Sequence, residues 1–524
     1  MIEAIGRKVI LLMALFWAGA AVQAQTVTIG LAADITSMDP HYHLLTSNQN
    51  VVEHVFNRLI ERDDQLRMVP GLALSWRTVD PLTWEFKLRP NVKFHDGSPF
   101  TADDVAFSIE RIPTIKDSPG SFAVYTKAIT NITVVDPLTI RLKTAAPYPL
   151  LPAEMGTFAI VSKKAATGAS SADFNSGKAA VGTGPYKLVR YARGDKIELV
   201  RNESFWGKKP QIEKLTFKVL TNDAARVAAL LSNDVQVIDG LPVADINRLS
   251  ANTELTVVRR AGTRLIFLNM DQFRDQSPFV TDKDGKPMTV NPLKDARVRH
   301  AISKAIDREQ IRTQVMEGAS RPTGQLMIPG LPGYSEALKV EPVDIEGAKK
   351  LLAEAGYPNG FGITIHGPNN RYVQDDQILQ TVAQMLSRVG IKASVAAQPS
   401  AMFFPGQAKH SYSLSLSGWG SGTFEGSSPL RSLLSAEDKA KGFGAVNAGK
   451  YYNAKMEEVL QKALVTLDES GRDKLLAQAT EIVIADQAII PIHHQVNLWA
   501  TRKNIVFSGR ADERTYAFDF VLQP

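Results

Sequence analysis

Apolar and polar positions change period many times along this chain, and each change marks an element boundary. Val27 to Leu31 alternates and predicts a strand, whereas Gln49 to Ile60 has helical spacing with Val51, Val55, Phe56 and Leu59 on one face. Strict alternation returns in Trp84-Glu85-Phe86-Lys87-Leu88, a half-buried strand. Asp96-Gly97 is a turn dipeptide, and Thr101-Ala102-Asp103-Asp104 is a helix start with a hydroxyl cap and a carboxylate three residues on. Ile132 to Val135 and Leu138 to Leu142 flank Asp136-Pro137 as a hairpin or tight connection. Residues 163–183, dominated by Lys, Ala, Ser and Gly, predict a surface segment and a domain crossing. Gly184-Pro185-Tyr186 then opens a strand, Arg193-Gly194-Asp195 turns it, and Lys196 to Val200 returns. A strand near Leu215 to Leu220, a helix capped by Asn222, a strand at Val235 to Ile238, a helix after Pro242 and a strand at Leu255 to Val258 follow. That is βαβαβ order and predicts a mixed α/β sheet.

A second α/β unit succeeds the first. Leu265 to Met270 is an apolar strand, and a loop rich in Asp, Pro and Gly spans 271–292. Helices are predicted at Ala296 to Ile306, Asp344 to Ala355 (closed by Gly356) and Asp375 to Val389 (closed by Gly390). Strands are predicted at Gly362 to His366 and Ile391 to Ala396, helices at 454–466 and 471–486, and closing strands at Ile489 to His493 and Asn497 to Thr501. No internal repeat is visible. The order fits two α/β lobes whose chain crosses between them more than once, which makes a hinge rather than a linker.

The N-terminus modifies this picture. Arg7 and Lys8 precede an uncharged stretch, Val9 to Val22, shorter than the about 20 residues of a membrane span, and Val22-Gln23-Ala24 places small residues for a signal peptidase. The expectation is a signal peptide over 1–24, cleaved after Ala24, with an uncleaved anchor as the alternative. The chain has no cysteine, so an exported product takes no disulfide and has no lipid acceptor at the cleavage point. Free diffusion in a periplasm follows. The roughly 500 residues left suggest about three folding units. A hydrophobic content of 44% and a charged content of 22% are ordinary for globular domains. The net charge is +6, but the basic residues occur as scattered pairs such as Lys163-Lys164 and Arg259-Arg260, which gives no nucleic-acid signature.

Several blocks, in order, resemble one family. Met38-Asp39-Pro40, Pro70-Gly71-Leu72-Ala73 with Ser75-Trp76, and Phe86 through Lys93-Phe94-His95-Asp96-Gly97 to Val105 come first. Gly182-Thr183-Gly184-Pro185-Tyr186, Arg201-Asn202 to Trp206, Asp295-Ala296-Arg297-Val298-Arg299, and Lys350-Leu351-Leu352 with Ala355-Gly356-Tyr357-Pro358 follow. Together they are similar to the peptide/nickel (family 5) solute-binding proteins of ABC transporters. The resemblance implies the large, type II version of a two-lobe periplasmic binding protein, α/β with mixed sheets, a hinge and an extra inserted domain. It implies lobe I from 25–62, 179–267 and 489–524, an inserted domain over 63–178, and lobe II over 268–488. It further implies a small peptide-like solute between the lobes, a cognate permease in the inner membrane, a monomer and no cofactor.

Candidate pocket residues come from strand ends and from the family pattern. Trp419-Gly420-Ser421-Gly422-Thr423 ends an apolar strand, where glycines let a ligand approach the backbone and where the family sets a Trp against the solute. Peptide carriers of the family usually place an aspartate three residues after this Trp; Gly422 stands there, and Glu425 is off register. This shifts the expectation from free dipeptides toward modified peptides, opine-like conjugates or other polar organic acids. Asn370, Arg371 and Tyr372 follow the strand Gly362 to His366; Arg371 is placed to clamp a carboxylate and Tyr372 to stack. Tyr42 and His43 sit where the family extends a loop into the cleft. Gly182 to Pro185 and Leu268-Asn269 are the candidate crossing strands.

Metal and catalytic chemistry find little support. His493 and His494 are adjacent on a strand and point to opposite faces, so they do not chelate one ion. Gly444 to Lys450 fits the phosphate-loop spacing, but Tyr451 replaces the Ser or Thr that magnesium needs. No GxSxG, HExxH or CxxC occurs. The expectation is a carrier and not an enzyme, with nickel-chelate, glutathione or opine carriage as alternatives and a secreted hydrolase as a remote one.

Overall fold

The computed structural model describes residues 25–438 and 442–523. The expected signal peptide, 1–24, lies outside the described residues. The large sheet begins with β1 (Thr26–Leu31). The chain then leaves it for a four-stranded antiparallel sheet made of β2 (Ala73–Asp80), β3 (Thr83–Leu88), β4 (Ile129–Asp136) and β5 (Thr139–Thr144). It returns as β6 (Tyr186–Ala192), β7 (Lys196–Arg201), β8 (Lys214–Val219), β9 (Val237–Asp239) and β10 (Leu255–Met270). β11 (Gly362–Pro368), β12 (Lys392–Gln398) and β13 (Leu414–Trp419) extend the far side, and β14 (Ile489–Arg502) runs back through the middle. The order is β11-β13-β10-β14-β9-β1-β8-β7-β6, with β12 beside β11.

Apart from the first, the helices follow the predicted periods closely. They include α1 (Thr46–Val52), α2 (Ala102–Arg111), α3 (Asp223–Leu231), α4 (Ala296–Ala305), α5 (Ile345–Glu354), α6 (Asp375–Ser387), α7 (Ala454–Val465) and α8 (Glu469–Ala485). At the start of α2, the Thr101 N–H donates to Asp104 Oδ2 at 2.9 Å, and Asn222 Oδ1 caps α3 by accepting from the Ala225 N–H at 2.9 Å. One core packs α4, α5 and α6 on β10, β11 and β13 through Leu268, Val298, Leu352, Ile365, Leu379 and Leu416. A second joins Ile29, Phe56, Phe174, Phe217 and Trp499 around β1, and a third lies under the four-stranded sheet with Phe86, Val105 and Leu142.

β10 and β14 connect the two sides of the large sheet. They pair antiparallel from Leu255↔Arg502 to Asn269↔Ile489. Pairing breaks after Ala261↔Val496 and resumes at Leu265↔His494, so Gly262, Thr263 and Arg264 oppose Gln495 alone. On one side of this bulge β14 pairs with β9; on the other β10 pairs with β13. The bulge bends both strands where they pass from lobe to lobe.

Five expectations are corrected here. Leu255 to Val258 and Leu265 to Met270 are the two ends of one strand, β10, and Ile489 to His493 and Asn497 to Thr501 are the two ends of β14. The second crossing strand is therefore β14; Gly182 to Pro185 instead packs against residues 54–56, just past α1, with the Gly184 N–H donating to the Val55 carbonyl at 2.9 Å. The helix expected over 49–60 stops at Val52, because the next carbonyls serve other segments: His54 accepts from Tyr186, Asn57 from Ile160 and Arg58 from Leu72. Residues 163–183 are more than a surface crossing. They hold the short helices Lys163–Ala166 and Ser171–Asn175, and Phe174 enters the core.

Candidate functional site

Parallel strands gather their carboxyl ends on one rim, and unfilled space at such a rim is where α/β sheets bind ligands. β1 ends at Leu31 and β9 at Asp239; across the gap, β11 leads into the Asn370–Gln374 loop. These ends, the start of α1, the middle of β14 and Glu513 enclose a cavity of about 630 Å³. It takes walls from both sides of the bulge.

The Asn370–Gln374 loop is held by one carboxylate. Asp375 Oδ2 accepts from the N–H groups of Arg371 at 2.9 Å and Tyr372 at 3.0 Å, and Oδ1 accepts from Asp376 at 3.0 Å. Asn370 Oδ1 ties the loop to Ser400 N–H at 2.9 Å. Tyr372 is buried, and its hydroxyl donates to the Gly418 carbonyl at 3.3 Å. The Arg371 guanidinium lies over the Tyr372 ring, 5.2 Å from its centroid. Among the described residues that guanidinium makes no hydrogen bond or ion pair, so it faces the cavity as an uncommitted cation.

The opposite wall supplies acids. Glu513 takes a left-handed backbone (φ 67°) and grips Arg264, on the bulge, with two bonds of 2.9 and 3.1 Å. Burial alone would raise the Glu513 pKa, but the Arg264 guanidinium holds it below the usual carboxylate range. Asp239 Oδ1 accepts from the Ala32 N–H at 2.6 Å, and burial pushes its pKa up to about 6. Its neighbour Arg226 is already spent on the carbonyls of Leu220, Asp239 and Gly240 and on Asp223.

Of the residues expected from the sequence, Asn370, Arg371 and Tyr372 line this cavity; Trp419, Gly420, Ser421, Gly422, Thr423, Tyr42 and His43 are not on its wall. Trp419 is half-buried against the core under α7 and α8, with Nε1 donating to Ser428 Oγ at 3.3 Å. Gly420 lies against the Arg264 guanidinium, and Gly422 against the Tyr125 hydroxyl. Ser421 Oγ accepts from the Phe424 N–H at 3.0 Å and sits 3.3 Å from Thr423 Oγ1, and the Thr423 carbonyl accepts from Arg62 at 2.9 Å. Glu425 is engaged by Arg472 at 2.6 Å. His43 Nδ1 is 3.1 Å from Thr36 Oγ1, and the Tyr42 carbonyl accepts from Ser118 at 2.6 Å.

Sequence reasoning missed Asp239, Arg264, Asn497 and Glu513. Asp239-Gly240 directly after an apolar strand was a usable signal for the first; the others carry none, since Asn497 and Glu513 reach the cavity only through the fold. His493 and His494 are buried, with pKa values depressed to about 3 and about 4 by burial, and His494 Nε2 bonds the Leu326 carbonyl. Among the described residues no group of three or more His, Asp or Glu side chains is arranged to hold a metal ion.

A cleft between lobes joined by two crossing strands defines a solute-binding protein, and the family model agrees. Residues 67–441 match the model described as bacterial extracellular solute-binding proteins, family 5 Middle. The chain belongs to that family, a solute-binding and non-catalytic one. It is 25% identical over 509 residues to the glutathione-binding protein GsiB of Salmonella paratyphi A, covering 95% of this chain and 94% of the relative. Among solved structures it is similar to HbpA2 from Haemophilus parasuis, with a TM-score of 0.81, 24% identity, and coverage of 95% of this chain and 100% of the other. It is also similar to the periplasmic binding protein DppA from Helicobacter pylori in complex with the peptide STSA, with a TM-score of 0.76, 22% identity, and coverage of 95% and 98%.

Proposed function

We propose that this chain captures a small, polar, peptide-like solute in the periplasm and delivers it, chemically unchanged, to the membrane permease of an ABC importer. The observation that carries this reading is the uncommitted Arg371 guanidinium, presented with Tyr372 into a cavity whose other wall belongs to the opposite lobe. A carboxylate is the natural partner for such a fork. The named ligands of the relatives, glutathione and a short peptide, carry free carboxylates, which favours the same class.

Closure follows from differential contact. A solute that touches both walls gains its full interaction only when the lobes meet, so it favours the closed state by that difference. Moving a 1:99 equilibrium to 99:1 takes about a 10⁴-fold preference. The expected division, lobe I over 25–62, 179–267 and 489–524, the inserted domain over 63–178 and lobe II over 268–488, shifts at the two crossing strands to the bulge at Gly262 to Arg264, the pivot, because Ile266, Leu268, Ile490 and Ile492 share the lobe II core. Asn370, Arg371 and Tyr372 contact the solute. The Trp419 to Thr423 turn supports the wall behind Arg264, and Tyr42 and His43, just ahead of the cavity-lining start of α1, meet a longer solute. The protein acts as a monomer after cleavage behind Ala24.

Native mass spectrometry of protein isolated gently from a periplasmic extract tests this. The expected result is one intact small organic molecule per chain, released on unfolding and unaltered after prolonged incubation. Steady conversion of that molecule, or a bound nickel chelate, would replace the reading.

A further inference from the structure

The charges around the cavity do not cancel evenly. Asp223 pairs with Arg226 at 2.7 Å, and Glu513 with Arg264 at 2.9 Å. Two charged groups on the wall are left over. Arg371, on the lobe II side, has no acceptor; on the lobe I side, Asp239 uses Oδ1 for the Ala32 N–H, while Oδ2 accepts from no other residue among those described. Asn497 also lines the cavity, but its Nδ2 is fixed by the carbonyls of Arg510 at 2.9 Å and Ala511 at 3.4 Å, and its buried Oδ1 lies against Gly262 of the bulge.

We propose that Asp239 receives a cationic N–H group of the solute while Arg371 receives its carboxylate, so that a zwitterion bridges the two lobes end to end. The inference rests on the solute-capture reading above and adds the orientation: amino end on lobe I, carboxyl end on lobe II. It also supplies a counter-charge for an ammonium group at a position distant from the Trp419 turn, where Gly422 offers none. The elevated Asp239 pKa fits an acid waiting for a cation.

Titration calorimetry on full-length processed protein, stripped of co-purified solute, tests the arrangement with trialanine and with glutathione. Each peptide is used free, N-acetylated and C-amidated. Wild type is expected to lose at least tenfold in affinity on either block. Asp239→Asn, whose amide oxygen still accepts from Ala32, is expected to bind the free peptide at least tenfold more weakly and to ignore acetylation. Arg371→Gln is expected to ignore amidation in the same way. An unchanged near-UV circular dichroism spectrum establishes that both variants fold. Wild-type affinity untouched by acetylation, or Asp239→Asn weakening free and acetylated peptides equally, overturns the clamp while leaving peptide capture standing. Absence of binding by every form overturns the peptide-like reading, and the clamp with it.

Discussion

Asp39 and Arg111 form an ion pair with almost no solvent contact. Arg111 donates at 2.9 and 2.7 Å to the two Asp39 oxygens, and Ser171 adds a bond of 2.8 Å. The Met38-Asp39-Pro40 block is thus structural: it pins the segment after β1 to α2. Arg111→Met leaves a buried carboxylate unpaired and is expected to cost about 3–5 kcal/mol in urea denaturation; a loss below 1 kcal/mol would show that the pair is dispensable. Glu154 tells the opposite story. Burial raises its pKa to about 8, Tyr148 donates to Oε1 at 2.8 Å, and Oε2 has no partner. The folded state therefore prefers the acid form, whereas the unfolded chain ionises near 4.5. Its penalty on stability grows as pH rises from about 4.5 to about 8 and is constant above that. The advantage of Glu154→Gln over wild type in denaturation midpoint should widen across that window, and parallel profiles for the two proteins would contradict the assignment.

The crossing strands are the elements on which movement depends. A Cβ at Gly262 would stand 2.7 Å from Asn497 Oδ1 and 2.8 Å from the Gln495 carbonyl, so only glycine lets β10 and β14 approach so closely at the bulge. Gly262→Val should push them apart and cost about 1–3 kcal/mol, measured by thermal denaturation; an unchanged midpoint would remove the bulge from the account. These strands also show what could be read beforehand. Their ends alternate or run apolar and were legible, as were the hairpin of β4 and β5 and the caps of α2 and α3. Their middles were not, because Arg259 to Arg264 and His494 to Val496 lose the two-residue period where one face turns from core to cleft. The pocket was half legible for the same kind of reason. Asn370, Arg371 and Tyr372 lie together at one strand end, but their partners Asp239, Asn497 and Glu513 come from remote segments that only the assembled lobes bring near. The end of α1 was hidden as well, since nothing in Gln49 to Ile60 announces that its carbonyls will bond to Tyr186, Ile160 and Leu72.

At the scale of the whole molecule, one continuous sheet joins the two sides, and among the described strands of the order given above only β10 and β14 lie on both sides of the bulge. The proposed closure would therefore bend that pair, beside the cavity of about 630 Å³. Asp375 fixes its loop through three backbone N–H groups, and Arg264, on the bulge, is paired with Glu513. Small-angle X-ray scattering across a titration with the co-purified solute tests that closure most directly. The radius of gyration should contract and level off at one equivalent. An unchanged profile at saturating solute would show that capture does not close the lobes.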